Sequence, residues 1–227
     1  YQVYREMVHS MYEHAGAVRI DHVLGLFRLW WIPQGLGARN GAYVTYNHEA
    51  MLGVLAIEAT RAGGMVVGED LGTVPDYRIL ADHGVLGTDV EWFNRVDDSP
   101  NAGDPYRAPK DYRKQALASV TTHDLPPTAG YLNFAHVKLR EELHLLSEPV
   151  EAFAASAMAE RTAMMNRLVE NGYISQTVAD DVEGHVQEIV EAMHAMLTDT
   201  PSLLLQAALV DGVGECRSQN QPGTSRE

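Results

Sequence analysis

Cysteine is almost absent from this chain: of 227 residues only Cys216 carries a thiol. No internal disulfide can form and no Cys-rich zinc site can be built, and one thiol suits a reducing cytoplasm, the expected location. Basic residues are also scarce, with 17 Lys+Arg against 31 Asp+Glu for a formal net charge of −14. A surface of that sign repels phosphate backbones, so no nucleic-acid partner is expected, whereas a neutral ligand is indifferent to the field. No apolar run approaches the roughly 20 residues of a membrane-spanning helix, so no membrane partner is expected either. The histidines show no H-E-x-x-H or comparable ligand spacing, and no metal is expected. No cofactor is expected: Gly35-Leu36-Gly37-Ala38-Arg39-Asn40-Gly41 briefly resembles a dinucleotide fingerprint, but it lacks the third glycine, follows Pro33 and opens no obvious helix. The first residues, Tyr1-Gln2-Val3-Tyr4-Arg5, are neither a signal peptide nor an initiator methionine, which suggests a piece of something longer.

What is present is ordinary for a globular protein: 45% hydrophobic and 21% charged residues, in a chain long enough to bury a sizeable core. Apolar bursts alternate with helical stretches, which favours the α/β class. Val18 to Asp21 reads as a short strand ending on an acid. Asn47 is placed to cap a helix that carries Met51, Leu52, Leu55, Ile57 and Ala59 and stops at Gly63-Gly64. Met65 to Glu69 reads as a buried strand, again ending in an acid. A short helix is expected near Asp76 to Asp82 with Gly84 as its stop, and a weaker strand near Val85 to Val90. A further strand fits Leu117 to Asp124, halted by Pro126-Pro127. The stretch from Val137 to Thr198 changes character, with apolar positions at spacings of three and four on either side of Asn171-Gly172. It reads as an inserted helical hairpin whose second helix runs from Val178 to Leu197 and whose methionines pack in a core. Ser202 to Leu205 with Ala207 to Val210 returns to strand, and the tail from Arg217 is polar loop. This gives three expected parts: barrel βα units over 1–136, a helical insertion over 137–200, and a last strand with its loop over 201–227.

The expected strands deliver Asp21, Glu69 and Asp124 at their C-terminal ends, the face on which (β/α)₈ barrels carry their chemistry. Singly, an acid at a strand end is more often a cap or a surface charge. Together, three such acids meet what cleavage of a glycosidic bond with retention requires, two carboxyl groups about 5–5.5 Å apart, one attacking and one protonating the leaving oxygen. Neighbouring strands lie about 4.7–4.9 Å apart, so acids ending successive strands reach that separation. Asp124 is then placed to hold substrate hydroxyls. Arg19, two residues before Asp21, shares its strand face and keeps it ionised. Other α/β enzyme classes stay open on this pattern alone. Asp89 and Glu91 form a second acidic pair with a solvated or structural role as default. His22 reads as a supporting or packed residue. Trp30, Trp31 and Tyr43 are able to stack on sugar rings, with core packing at least as good a reading for one of the tryptophans.

The residues around these acids are similar to a known family. Arg19-Ile20-Asp21-His22, then Leu29-Trp30-Trp31-Ile32-Pro33 and Gly41-Ala42-Tyr43-Val44, resemble the 4-α-glucanotransferases (amylomaltases, disproportionating enzymes) of the α-amylase clan. Gly68-Glu69-Asp70-Leu71-Gly72-Thr73-Val74-Pro75 resembles the family's acid/base motif and Thr121-Thr122-His123-Asp124 its third block. The resemblance runs from about Tyr12 to Thr224. It implies a retaining enzyme with Asp21 as nucleophile, Glu69 as acid/base and Asp124 as transition-state stabiliser. It further implies Arg19, His123 and Asn220 as substrate-binding residues beside Trp31 and Tyr43, and α-1,4-glucans or maltooligosaccharides as substrates. The implied fold is a (β/α)₈ TIM barrel of which this chain holds only the later portion, about strands 4 to 8. The first strands and an N-terminal subdomain would then lie outside the chain, and self-association through open strand edges is expected. A glucan hydrolase of the same clan and a non-catalytic glucan-binding fragment stand as alternatives.

Overall fold

In a computed structural model, the structure describes residues 1–71, 77–96, 101 and 103–224. The chain divides into two compact units, Tyr1–Thr88 with Gln115–Leu117, and Asp89–Lys114 with Ala118–Glu227. Its strands lie in the order Ala17–Ile20, Met65–Gly68, Val85–Val90, Ala116–Ser119 and Leu204–Gln206 in one sheet, with Arg28–Trp31 and Ala42–Thr45 forming a separate two-stranded sheet.

The first unit opens with helix α1 (Gln2–Tyr12) and strand β1 (Ala17–Ile20). A 3-10 turn (Val23–Leu26) leads into the antiparallel hairpin β2 (Arg28–Trp31) and β3 (Ala42–Thr45). Helix α2 (His48–Ala62) follows, then β4 (Met65–Gly68), helix α3 (Tyr77–Asp82) and β5 (Val85–Val90). β1 pairs in parallel with β4, Ile20 opposite Gly68, and β4 in parallel with β5. Parallel neighbours need helical crossovers, and α2 is the one between β1 and β4. Its start is capped by the Asn47 side chain, which accepts from Ala50 N at 3.1 Å, and Gly63 stops it at φ 64°. The cap is worth about 1 kcal/mol. Leu52 and Leu55 of α2 are fully buried with Val8 of α1, Val23, Val66 and Leu80. Truncating either leucine to alanine costs about 2–5 kcal/mol. At the other side of β5, Gly87 N donates to Gln115 O at 2.9 Å, joining β6 (Ala116–Ser119).

The second unit takes up the chain with helix α4 (Thr128–Leu132), α5 (Ala135–Glu142), α6 (Val150–Glu170), α7 (Gln176–Asp180) and α8 (Val186–Thr198). Strand β7 (Leu204–Gln206) and the turn-length helix α9 (Leu209–Gly212) end the regular structure. α8 buries Ile189, Val190, Met193, Met196 and Leu197, a stripe at helical spacing, against Met164 and Leu168 of α6 and Ala118 of β6. The helices therefore share one core with a strand. Leu203 N donates to Lys114 O at 3.0 Å, which sets β7 beside β6.

The α/β class expected from the sequence is what the structure has. Several expected boundaries move. β6 ends at Ser119, not at Asp124: Thr121 Oγ1 turns onto Pro126 O at 2.9 Å and Leu125 N onto Thr122 O at 3.1 Å, local bonds that replace the ladder. The second long helix is two helices, α7 and α8, because Gly184 N closes a turn onto Asp181 Oδ1 at 3.2 Å. Leu209 and Val210 are helical rather than extended, and Leu209 is exposed. The hairpin β2–β3 and helix α1 were not expected at all. Gly72, Thr73, Val74, Pro75 and Asp76, named in the acid/base motif and the short helix, lie outside the described residues.

Candidate functional site

β1 and β4 carry Asp21 and Glu69 on the residues that follow the paired Ile20 and Gly68. The ladder continues past both strands: Glu69 N donates to Ile20 O at 2.9 Å, and Val23 N returns to Glu69 O at 2.9 Å. Gly68 permits this approach. A Cβ there would stand 3.0 Å from Cγ2 of Val23, tighter than ordinary packing allows. The chain leaves β1 through His22, which sits at φ 45°, ψ 59° in the left-handed region, and so turns its amide toward β4. That amide donates to Glu69 Oε2 at 2.9 Å, while Leu71 N donates to Oε1 at 2.7 Å. Both Glu69 oxygens are thus aimed by backbone, and its side chain is half-buried.

Asp21 is exposed, 73% at its side chain, and its Oδ1 accepts from Arg19 Nη1 at 2.7 Å. A pair this open contributes at most about 1 kcal/mol, so its consequence is the orientation of the carboxylate. Asp70, next to Glu69, is buried and its Oδ1 accepts from Thr88 N at 2.8 Å, tying the end of β4 to β5. No functional reading of the sequence had singled out Asp70. Its neighbour's motif was the only available signal.

Trp31 and Tyr43 stand on the hairpin, each 58% exposed. Trp30 packs edge-on to Tyr43 at 4.9 Å and donates from Nε1 to Ala38 O at 2.9 Å, and Trp31 Nε1 donates to Tyr46 OH at 2.8 Å. Neither tryptophan is a core residue, contrary to that sequence reading, because the hairpin satisfies both indole N–H groups locally. Gly41 is obligatory in this arrangement: a Cβ would lie 2.3 Å from Trp30 Nε1. The signal missed was two β-rich runs flanking a Gly/Pro/Asn-rich loop, which reads as a hairpin.

In the second unit, Asp124 accepts at Oδ1 from Asn220 Nδ2 at 2.6 Å, and its Oδ2 lies 3.2 Å from His123 Nε2. Three of the residues singled out in sequence are therefore brought together here, and Asp21, Arg19 and Glu69 in the first unit. Asp89 and Glu91 serve structure. Asp89 bonds Arg113 Nε at 2.8 Å, and Glu91, fully buried, is held by Arg167 and by the hydroxyl of Tyr112. Burial pushes the Glu91 carboxyl up, against the opposing pull of Arg167 and Tyr112. Among the described residues no His/Cys/Asp/Glu group is gathered as a metal site, and no helix is long and apolar enough to cross a membrane.

Comparison with known proteins gives one answer. The family model for 4-alpha-glucanotransferase matches residues 1–227. The 4-alpha-glucanotransferase of Mycobacterium tuberculosis (strain ATCC 25618 / H37Rv) is 51% identical over 231 residues, covering 100% of this chain and 31% of the relative. That of Haemophilus influenzae is 31% identical over 228 residues, covering 98% of this chain and 32% of the relative. Among solved structures, amylomaltase from Corynebacterium glutamicum superposes with a TM-score of 0.89 at 39% identity, over 98% of this chain and 32% of that one. Amylomaltase from Streptococcus agalactiae, solved in complex with acarbose, shares the fold with a TM-score of 0.62 at 19% identity, over 98% of this chain and 38% of that one. The chain spans about a third of the length of these relatives. With the match running from end to end, the chain belongs to the 4-alpha-glucanotransferase family.

Proposed function

We propose that this chain carries the catalytic carboxylates of a 4-α-glucanotransferase, which moves a segment of an α-1,4-glucan to the 4-hydroxyl of another sugar with retention at the anomeric carbon. The observation that carries the proposal is the placement of Asp21 and Glu69 just past the paired ends of two adjacent parallel strands, with Arg19 bonded to Asp21 and the His22 amide to Glu69. Family membership supports the same reading.

In the first step the Asp21 carboxylate attacks the anomeric carbon, the C1–O4 bond breaks, and Glu69 gives a proton to the departing O4. A glucosyl ester on Asp21 results. In the second step the 4-hydroxyl of an acceptor sugar attacks the same carbon, Glu69 takes its proton, and the ester bond to Asp21 breaks with the original configuration restored. Each Glu69 oxygen accepts one backbone N–H, which leaves a second lone pair on each for the transferred proton. Asp124 stabilises the transition state by holding sugar hydroxyls, with His123 and Asn220 as further substrate contacts. Trp31 and Tyr43 offer exposed aromatic faces for sugar stacking. Maltooligosaccharides are neutral, so the net charge of −14 neither attracts nor repels them. The lone thiol suits action in the cytoplasm.

Incubation with maltotriose tests the proposal. Glucose release together with maltodextrins longer than the substrate is the expected result. Hydrolysis to glucose and maltose without longer products contradicts transfer, and maltooligosaccharide binding without turnover contradicts catalysis.

A further inference from the structure

The loop that carries Asp124 is held from one side by a single stretch of chain after β7. Val120 to Pro127 joins β6 to α4. At the far end of this loop, Thr128 is wholly buried, and both its backbone N and its Oγ1 donate to the Asp211 carboxylate at 2.8 Å. Asp211 is itself 1% exposed, with His194 Nε2 lying 3.6 Å from Oδ2. A buried carboxylate is costly unless its lone pairs are met, and here one residue at the start of α4 meets both oxygens. Two residues further on, Gly130 admits the backbone of the same stretch: a Cβ there would stand 2.3 Å from Cys216 O. At the end of the stretch Asn220 Nδ2 bonds Asp124 at 2.6 Å. Asp211, Cys216 and Asn220 therefore touch Thr128, Gly130 and Asp124 in turn.

We propose that Asp211 is a positioning residue for Asp124, acting through Thr128, and that residues 211–220 form a brace that holds the Asp124 loop from its far end. The catalytic consequence rests on the reading of Asp124 as transition-state stabiliser; the brace itself does not. Asp211, at 1% exposure, is buried away from any substrate and acts only through Thr128. It fixes where α4 begins, and so fixes the span over which the loop presents its carboxylate to Asn220.

The test compares Asp211→Ala with Asp211→Asn in the folded chain by NMR. Asparagine keeps both contacts, because its carbonyl accepts from Thr128 N and its amide donates to the Thr128 hydroxyl, which accepts as well as donates. The expected result is faster amide exchange at Thr128 in Asp211→Ala, by about tenfold or more relative to amides of α8, as fits the loss of hydrogen bonds to a charged group. The Asn220 side-chain amide resonances should shift in the same variant, and Asp211→Asn should leave both close to the parent. Thr128→Val, which loses one of the two bonds, should show a smaller change of the same kind and serves if Asp211→Ala does not fold. An Asn220 signal unmoved in the variants that release Thr128 overturns the brace. In the maltotriose assay Asp211→Ala should lower kcat with KM little changed, and Asp211→Asn should recover it; a shifted Asn220 signal with unchanged kcat overturns the positioning role. Asp124→Asn with full transfer activity overturns the reading of Asp124 while leaving the NMR result standing, so the two failures are distinct.

Discussion

The amide of His22, the residue after the proposed nucleophile, is hydrogen-bonded at 2.9 Å to Oε2 of Glu69, the proposed acid/base. This bond exists because His22 adopts a left-handed backbone conformation, which costs a residue other than glycine about 1–2 kcal/mol. Strain of this kind persists where the surroundings over-determine it, and here it aims a donor at a carboxylate. Substitution by glycine should therefore preserve folding and most of the transfer activity. Substitution by valine, whose β-branch clashes in this region, should destabilise the chain by about 1–2 kcal/mol more and lower kcat. Urea melts and maltotriose turnover of His22→Gly and His22→Val check the pair; equal behaviour of the two variants removes the backbone argument.

Glu69→Gln keeps a side chain of the same shape and loses the proton that the proposed acid/base gives. Its turnover of maltotriose should fall by about 10²–10⁴-fold. Attack on α-glucosyl fluoride, whose leaving group departs without protonation, should suffer much less. Measuring both donors separates loss of the acid from loss of folding, since an unfolded variant fails with each.

Arg167 and Glu91 are buried together, with Tyr112 completing the contact. Replacing Arg167 by leucine leaves Glu91 buried without its main partner, at a cost of about 3–5 kcal/mol. Replacing both by apolar residues of similar size should restore most of that loss. Chemical denaturation of the single and double variants reads the difference directly.

His136 is stacked on Tyr131 at a ring separation of 4.3 Å, and burial first, then the charge of Arg140, hold its pKa at about 4 against an ordinary 6.5. Unfolding raises that value, so the unfolded chain binds more protons between the two. Stability is consequently lost as pH falls from about 6.5 toward 4, by up to about 3 kcal/mol from this residue. In His136→Phe the loss between pH 7 and pH 4.5 should be smaller, as measured by denaturant midpoints at the two pH values.

Much of this was legible in the sequence where the signals are local. Asn47 and Gly63 fixed α2 because caps act within a few residues, and the runs ending at Asp21 and Glu69 fixed their strands because alternation with helices implies parallel pairing. The placement of Trp30 and Trp31 was hidden, since an aromatic run reads as core whether it lies in a sheet interior or on an exposed hairpin. The early end of β6 was hidden by threonines, which suit a strand and also bond their own backbone. The bond between Thr128 and Asp211 joins residues 83 apart in the chain, and no periodicity encodes such a contact.

The most direct test of the account is to trap the glucosyl ester with a 5-fluoro-α-glucosyl fluoride, which slows the second step, and to locate the label by peptide mass spectrometry. The sugar is expected on the peptide containing Asp21, with labelling lost in Asp21→Asn. A label on Glu69, Asp124 or any other residue, or transfer of glucan with no labelled peptide, contradicts it.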